Sequence, residues 1–101
     1  MGKSKNEKRA VLVTDIHRGV YFGYLVEELE GGKAVVLENA RHAWYWRVDA
    51  SNHPGIYGLT SGGPAKGSKI GARFNGKIRD VSKIIDVKPE AVARWESQGW
   101  D

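Results

Sequence analysis

The chain has 101 residues, no cysteine and a formal net charge of +4. That length suits one domain with a modest core, and the lack of cysteine excludes a disulfide framework and thiol chemistry. No apolar run approaches the roughly 18 residues of a membrane-spanning helix, and the charge is uneven: residues 41–83 carry eight basic side chains against two acidic ones, residues 10–40 two against five. A basic block of this kind favours an anionic partner.

Residues 1–9 hold Lys3, Lys5, Lys8 and Arg9 against Glu7 with no hydrophobic period, and read as a disordered basic arm ahead of a single small β-rich domain at 10–101. The β-branched, apolar run AVLVTD at 10–15 predicts a first strand. Residues 16–19 form a turn in which Gly19 is expected to take positive φ. Residues 20–28 predict a second strand, with Val20, Phe22, Tyr24 and Val26 on one face and Tyr21, Gly23 and Leu25 on the other. Gly23 leaves a gap that a neighbouring aromatic or backbone can fill. Glu30-Gly31-Gly32-Lys33 is a hairpin signal, followed by a third strand at 34–38, a corner or bulge at Asn39 and a fourth strand at 41–48.

Seven glycines and prolines make residues 49–68 a long loop, with room for one helical turn near 56–60. A loop this long in a small domain is expected to be functional or mobile. Two further strands, 69–74 and 78–87, are expected around Asn75-Gly76, a hairpin-type dipeptide. Pro89 and Glu90 suit the start of a short C-terminal helix that Gly99 ends. Val92 and Trp95 share one face of it, and Trp100 is expected to fold back or to serve a subunit interface. The fold class is α+β, mainly β: an antiparallel meander or half-barrel of five to six strands.

The most informative stretch is ARHAWYWR at 40–47. Strand alternation puts His42, Trp44 and Trp46 on one face and Arg41, Tyr45 and Arg47 on the other. A phenol between two guanidiniums suits an anionic, ring-bearing ligand through stacking and charge-assisted hydrogen bonds. If the other face is the exposed one, Trp44 and Trp46 take the stacking role.

Catalytic and metal patterns are absent from the sequence. His17, His42 and His53 lack ligand spacing. Asp15 with His17 reads as a turn rather than an acid–base pair. The stretch from Gly62 to Lys69 fails the phosphate-loop pattern, because Ser68 stands at the lysine position and Lys69 at the hydroxyl position. A backbone anion nest there stays open as an alternative. No serine has a nucleophile elbow.

The segments GVYFGYL at 19–25 and VVLENAR at 35–41, followed by WYW at 44–46, resemble an uncharacterised family of short phage and prophage proteins. That family, a domain of unknown function, follows the pattern GVxxGxL, VVLxxAR and WxW. The likeness covers residues 11–48. It implies a phage-encoded accessory protein acting in the host cell cytoplasm. Small phage proteins of this kind often inhibit host defence, some by sequestering nucleotide second messengers.

The expected function is therefore non-enzymatic capture of a nucleotide or cyclic nucleotide, without a cofactor. The expected ligand-binding residues are Arg18, Tyr21, Arg41, Trp44, Tyr45, Trp46, Arg47, Lys66, Lys69 and Arg73. Arg41→Ala and Arg47→Ala are each expected to weaken binding and leave the fold intact. A single-stranded nucleic-acid-binding β-barrel is the alternative, as is a protein-interaction module that inhibits a host enzyme or assembles in a virion. An exposed Trp95/Trp100 patch would favour that module or a homo-oligomer, which is also expected. No membrane partner is expected.

Overall fold

A computed structural model describes residues 8–99. Its elements are β1 (Arg9–Asp15), β2 (Val20–Leu29), β3 (Ala34–Tyr45), α1 (Ile56–Ser61), β4 (Lys69–Ile70), β5 (Phe74–Ile78), β6 (Val81–Asp86) and α2 (Pro89–Ser97). The strands form one antiparallel sheet in the order β4-β3-β2-β1-β6, and β5 also pairs with β3. The outer edge of β3 is shared, with β5 along Val35 to Ala40 and β4 along Ala43 to Tyr45.

Only Arg79 and Asp80 separate β5 from β6, yet β5 pairs with β3 and β6 with β1. So short a link forces the sheet to curl until its two edges meet at a corner. The Val81 amide donates to the Lys33 carbonyl (2.9 Å) and the Ile16 amide to the Asp80 carbonyl (3.0 Å), which ties that corner down. The sheet stays open, because β5 and β6 do not pair. The half-barrel with a short C-terminal helix is thus the observed architecture.

Alternation along the strands fills both faces. Val11, Val13, Val35, Leu37, Ala40 and Ile78 line the inside of the curl, joined by Tyr21, Leu25 and Phe74. Leu12, Val20, Phe22, Ala43 and Ile70 point the other way and pack under Leu59, Ala91 and Trp95 of the helical layer. Trp95 is fully buried and stacks on Phe22 at 5.2 Å with 6° between the rings. Its indole N–H donates to the Leu59 carbonyl (3.0 Å), so α2 and α1 are fixed to each other and to the sheet.

Several expectations change. The predicted third and fourth strands are one strand, β3, interrupted by a bulge. Phe22 pairs with Arg41 and Tyr24 with Glu38, so β3 uses three steps where β2 uses two. Asn39 absorbs the extra residue at φ 48°, a conformation asparagine tolerates, and its amide donates to the Asn75 carboxamide (2.9 Å). Gly23 lies opposite, where an added Cβ would sit 3.1 Å from both Ala40 and Leu37; aliphatic side chains fill the gap.

Asn75-Gly76 is not a turn but lies inside β5, and the reversal falls at Arg79-Asp80, with Asp80 at φ 55°. In the β1–β2 turn Arg18, not Gly19, takes positive φ (69°). Gly19 is needed for space instead, since a Cβ would meet the Asp15 carboxylate at 2.7 Å and the Tyr21 ring at 2.9 Å.

The 49–68 stretch contains the expected helical turn as α1, but it packs as part of the core: Leu59, Pro64 and Ser68 are fully buried. Arg9, assigned to the arm by sequence, opens β1 and pairs with Asp86 (2.7 Å), while Lys8 pairs with Glu38 (2.9 Å). The rest of that arm, and Trp100, lie outside the described residues. Among the described residues no helix is long and apolar enough to cross a membrane.

Candidate functional site

The bulge at Asn39 puts Ala40, His42 and Trp44 on the inner face of the curled sheet, in phase with Tyr21 of β2. Tyr21 and His42 are cross-strand partners whose rings stack at 4.4 Å. His42 and Trp44, two residues apart on β3, approach to 4.2 Å. Phe74 of β5 sets its edge against Tyr21 at 6.5 Å. The result is a three-ring column that runs from half-buried Tyr21 to Trp44, which is 64% exposed.

Burial lowers the pKa of His42, opposed by the Asp15 carboxylate, so the middle ring favours its neutral form. Burial raises the pKa of Tyr21, and Asp15 adds to it. The Asp15 carboxylate is itself fixed by the amides of Gly19 (2.7 Å) and His17 (2.9 Å), which bears out the turn reading of that pair.

Arg41 is not on this face. It points under the helical layer and is only 7% exposed. Its guanidinium donates to the carbonyls of Gly71 (2.8 Å), Trp95 (2.9 Å) and Ile70 (3.5 Å). Trp95 lies in the last turn of α2, where carbonyls lack helical partners, so Arg41 caps the helix from below. Burial lowers its pKa, Arg73 adds to that, and Glu96 opposes both. Arg41 therefore does not lie on an open face as expected: α2 covers that side of β3.

Arg73 is engaged in the same way, donating to the Glu96 carbonyl (2.9 Å) and lying 3.8 Å from the Glu96 carboxylate. Tyr24 also hydrogen-bonds that carboxylate; burial first, then this bond and the nearby charge, push its pKa up to about 12.

The other predicted residues are dispersed. Tyr45 is 54% exposed at the end of β3, on the side of Arg41, and is the register partner of Lys69. Trp46 lies past the end of the strand and packs against the helical-layer core, so Trp44 and Trp46 do not share a face. Arg18, Arg47 and Lys66 are exposed and form no ion pair among the described residues.

Part of the backbone in the 62–69 stretch is already hydrogen-bonded. The Ala65 amide donates to the Arg47 carbonyl (2.8 Å), Ser68 to the Ala65 carbonyl (3.1 Å) and Gly63 to the Gly58 carbonyl (3.2 Å), which spends these donors inside the fold.

Sequence reasoning missed His42 as a member of the aromatic set, and Phe74. Alternation alone links His42 to Trp44, but its contact with Tyr21 depends on the register that the bulge creates. A separate open concavity of about 550 Å³ is lined by His53, Pro54, Tyr57, Thr60, Ser61 and Lys88, none of them nominated from sequence. No pattern in the sequence joins Lys88 to the 53–61 stretch; the Lys88 amide meets the Thr60 carbonyl (2.9 Å) only in the fold. Among the described residues no group of three potential ligands could hold a metal ion.

The family model described as Domain of unknown function (DUF6948) matches residues 8–95. No curated protein and no solved structure matches the chain.

Proposed function

This chain belongs to the DUF6948 family, a domain of unknown function, and we propose that it is a non-enzymatic binding protein for an anionic, nucleotide-type ligand. The observation that carries this reading is the Tyr21–His42–Trp44 column with its exposed indole end. A large apolar ring left at a surface is costly unless it is used, and a prestacked ring is already ordered for a planar partner. The exposed cations Arg18, Arg47 and Lys66, with no ion pairs of their own among the described residues, supply charge for phosphates.

The resemblance to short phage proteins supports the wider setting: a phage-encoded anti-defence protein in the host cytoplasm that sequesters a nucleotide signal, as a homo-oligomer. The open position of the column favours one second reading, a single-stranded nucleic-acid binder. Trp95 is core, so it adds no exposed patch to the protein-interaction reading.

Calorimetric titration with nucleoside monophosphates and cyclic dinucleotides tests the proposal. Binding is expected for the wild type. Trp44→Ala should cost about 1–3 kcal/mol, a Kd roughly 5- to 150-fold weaker. Arg47→Ala should cost about 1.5–3 kcal/mol if it meets a phosphate. Affinities untouched by both substitutions, or no binding at all, would sink the reading.

A further inference from the structure

We propose that the concavity beside α1 is a further ligand site, one that takes a small organic anion with a planar apolar body. An aryl phosphate or an aryl carboxylate has that chemistry. The site shares no residue with the Tyr21–His42–Trp44 column and does not rest on the stacking reading above. Its volume of about 550 Å³ falls inside the range of about 300–1,000 Å³ usual for small-molecule sites.

The lining divides by chemistry. Pro54 and Tyr57 supply apolar rings, His53 and Lys88 supply nitrogen donors, and Thr60 and Ser61 supply hydroxyls; none of the six is acidic. The hydroxyls are spent inside the fold, Thr60 donating to the Tyr57 carbonyl (2.9 Å) and Ser61 to the Asn52 carboxamide oxygen (2.7 Å). The Lys88 ammonium, the His53 imidazole and the Tyr57 hydroxyl make no hydrogen bond or ion pair among the described residues. What the concavity has to offer is therefore donors, one of them a full positive charge, beside two rings. An acceptor-rich anionic head on a flat apolar body matches that set.

The walls are held before a ligand arrives. The Asn52 carboxamide oxygen accepts from the His53 amide (2.8 Å) as well as from Ser61, which ties the loop that carries His53 to α1. The His53 carbonyl lies against Gly58 and the Asn52 side chain against Gly62, so closely that a Cβ at either glycine would clash. On the opposite wall the Lys88 amide donates to the Thr60 carbonyl (2.9 Å), and the Lys88 carbonyl accepts from the Ala91 amide (2.9 Å). The backbone under both nitrogen donors is thus fixed to α1 or α2. Binding has only side-chain rotamers left to order, and preorganisation of that kind lowers the cost of capture.

Amide NMR titration of the full chain with phenyl phosphate, benzoate and inorganic phosphate tests this. The variants are Lys88→Gln, Lys88→Arg, Tyr57→Ala and Trp44→Ala; the Lys88 and Tyr57 side chains are exposed, so the fold is expected to survive their replacement. Saturable shifts are expected at His53, Tyr57, Ser61 and Lys88 with at least one aryl anion, and the tighter of the two identifies the head group. Lys88→Gln should weaken that binding about tenfold, with Lys88→Arg retaining it, and Tyr57→Ala about two- to tenfold. Trp44→Ala should leave it unchanged. No saturable shift at these amides, or an affinity unmoved by Lys88→Gln, would overturn the proposal. Inorganic phosphate binding there as tightly as the aryl anions would also overturn it, by showing that the rings play no part. Binding lost in Trp44→Ala but kept in Lys88→Gln would assign the ligand to the column, so that this proposal fails and the stacking function stands.

Discussion

The two faces of β3 between Arg41 and Trp44 come from four consecutive residues and meet opposite fates. Arg41 and Ala43 face the helical layer and are buried; His42 and Trp44 face the curl, and exposure rises along them until Trp44 is 64% exposed. A guanidinium and an indole that look equally suited to a ligand are separated by one fact, the presence of α2 on one side. Arg41 is held there by helix-end carbonyls that need a donor. Trp44, on the face away from α2, stays 64% exposed. Residue chemistry names the candidates for a site; the layer that packs over β3 buries Arg41 among them.

The largest expected contrast is between two tryptophans. Trp95→Ala should lose about 3–5 kcal/mol, the range for deleting a buried aromatic, because it removes both the Phe22 stack and the indole bond to Leu59. Trp44→Ala should cost less than about 1.5 kcal/mol, the value of one ring pair. Urea unfolding of both variants checks this, and equal losses would erase the distinction between core and site.

Next comes Arg41→Ala, expected to cost about 1.5–3 kcal/mol through the loss of charge-assisted bonds to buried carbonyls. Arg41→Lys should recover only part of this, since an ammonium cannot reach Gly71 and Trp95 with one planar fork. A wild-type melting temperature in Arg41→Ala would return that residue to the list of ligand contacts. A deletion of residues 1–9, attractive as a test of the basic arm, also cuts the first residue of β1, so a deletion that stops before Lys8 is the cleaner probe.

A smaller effect sharpens the origin of the two faces. Asn39→Val should cost about 1–2 kcal/mol, the penalty for a left-handed backbone at a residue that resists it, whereas Asn39→Gly should be tolerated. If Asn39→Val is neutral, the bulge does not depend on that residue.

The smallest effect is a pH dependence. The folded pKa of His42 lies below the ordinary 6.5, so the unfolded chain binds the proton more readily. The contribution is fully present above 6.5 and is lost as pH falls from there through the lower folded value. His42→Gln should flatten this part of the stability profile, and a melting curve with the same acid slope in both proteins would show that the column does not hold the imidazole neutral.

Local signals in the sequence were sufficient for much of the fold. A β-branched apolar run marks β1, apolar alternation marks β2, paired glycines mark the β2–β3 hairpin, and Pro89 marks the start of α2. Each is a property of neighbouring residues, so it is legible without tertiary contacts. Asn39 was legible as a bulge for the same reason, since few residues accept its backbone conformation. Asn75-Gly76 misled because a dipeptide that permits a turn does not require one, and pairing of β5 with β3 was the stronger demand.

Trp44 and Tyr21 could be nominated by residue type. Their connection through His42 could not, because it depends on a register set across two strands. The β-rich class, the hairpin, the bulge and the terminal helix follow from short-range sterics and hydrophobic period, and are legible in the residues alone. The curl of the sheet around a two-residue link, the burial of Arg41 under α2 and the exposed position of Trp44 come from packing between distant elements. Those outcomes depend on which surfaces compete for burial against one another, and that competition is between residues far apart in the chain.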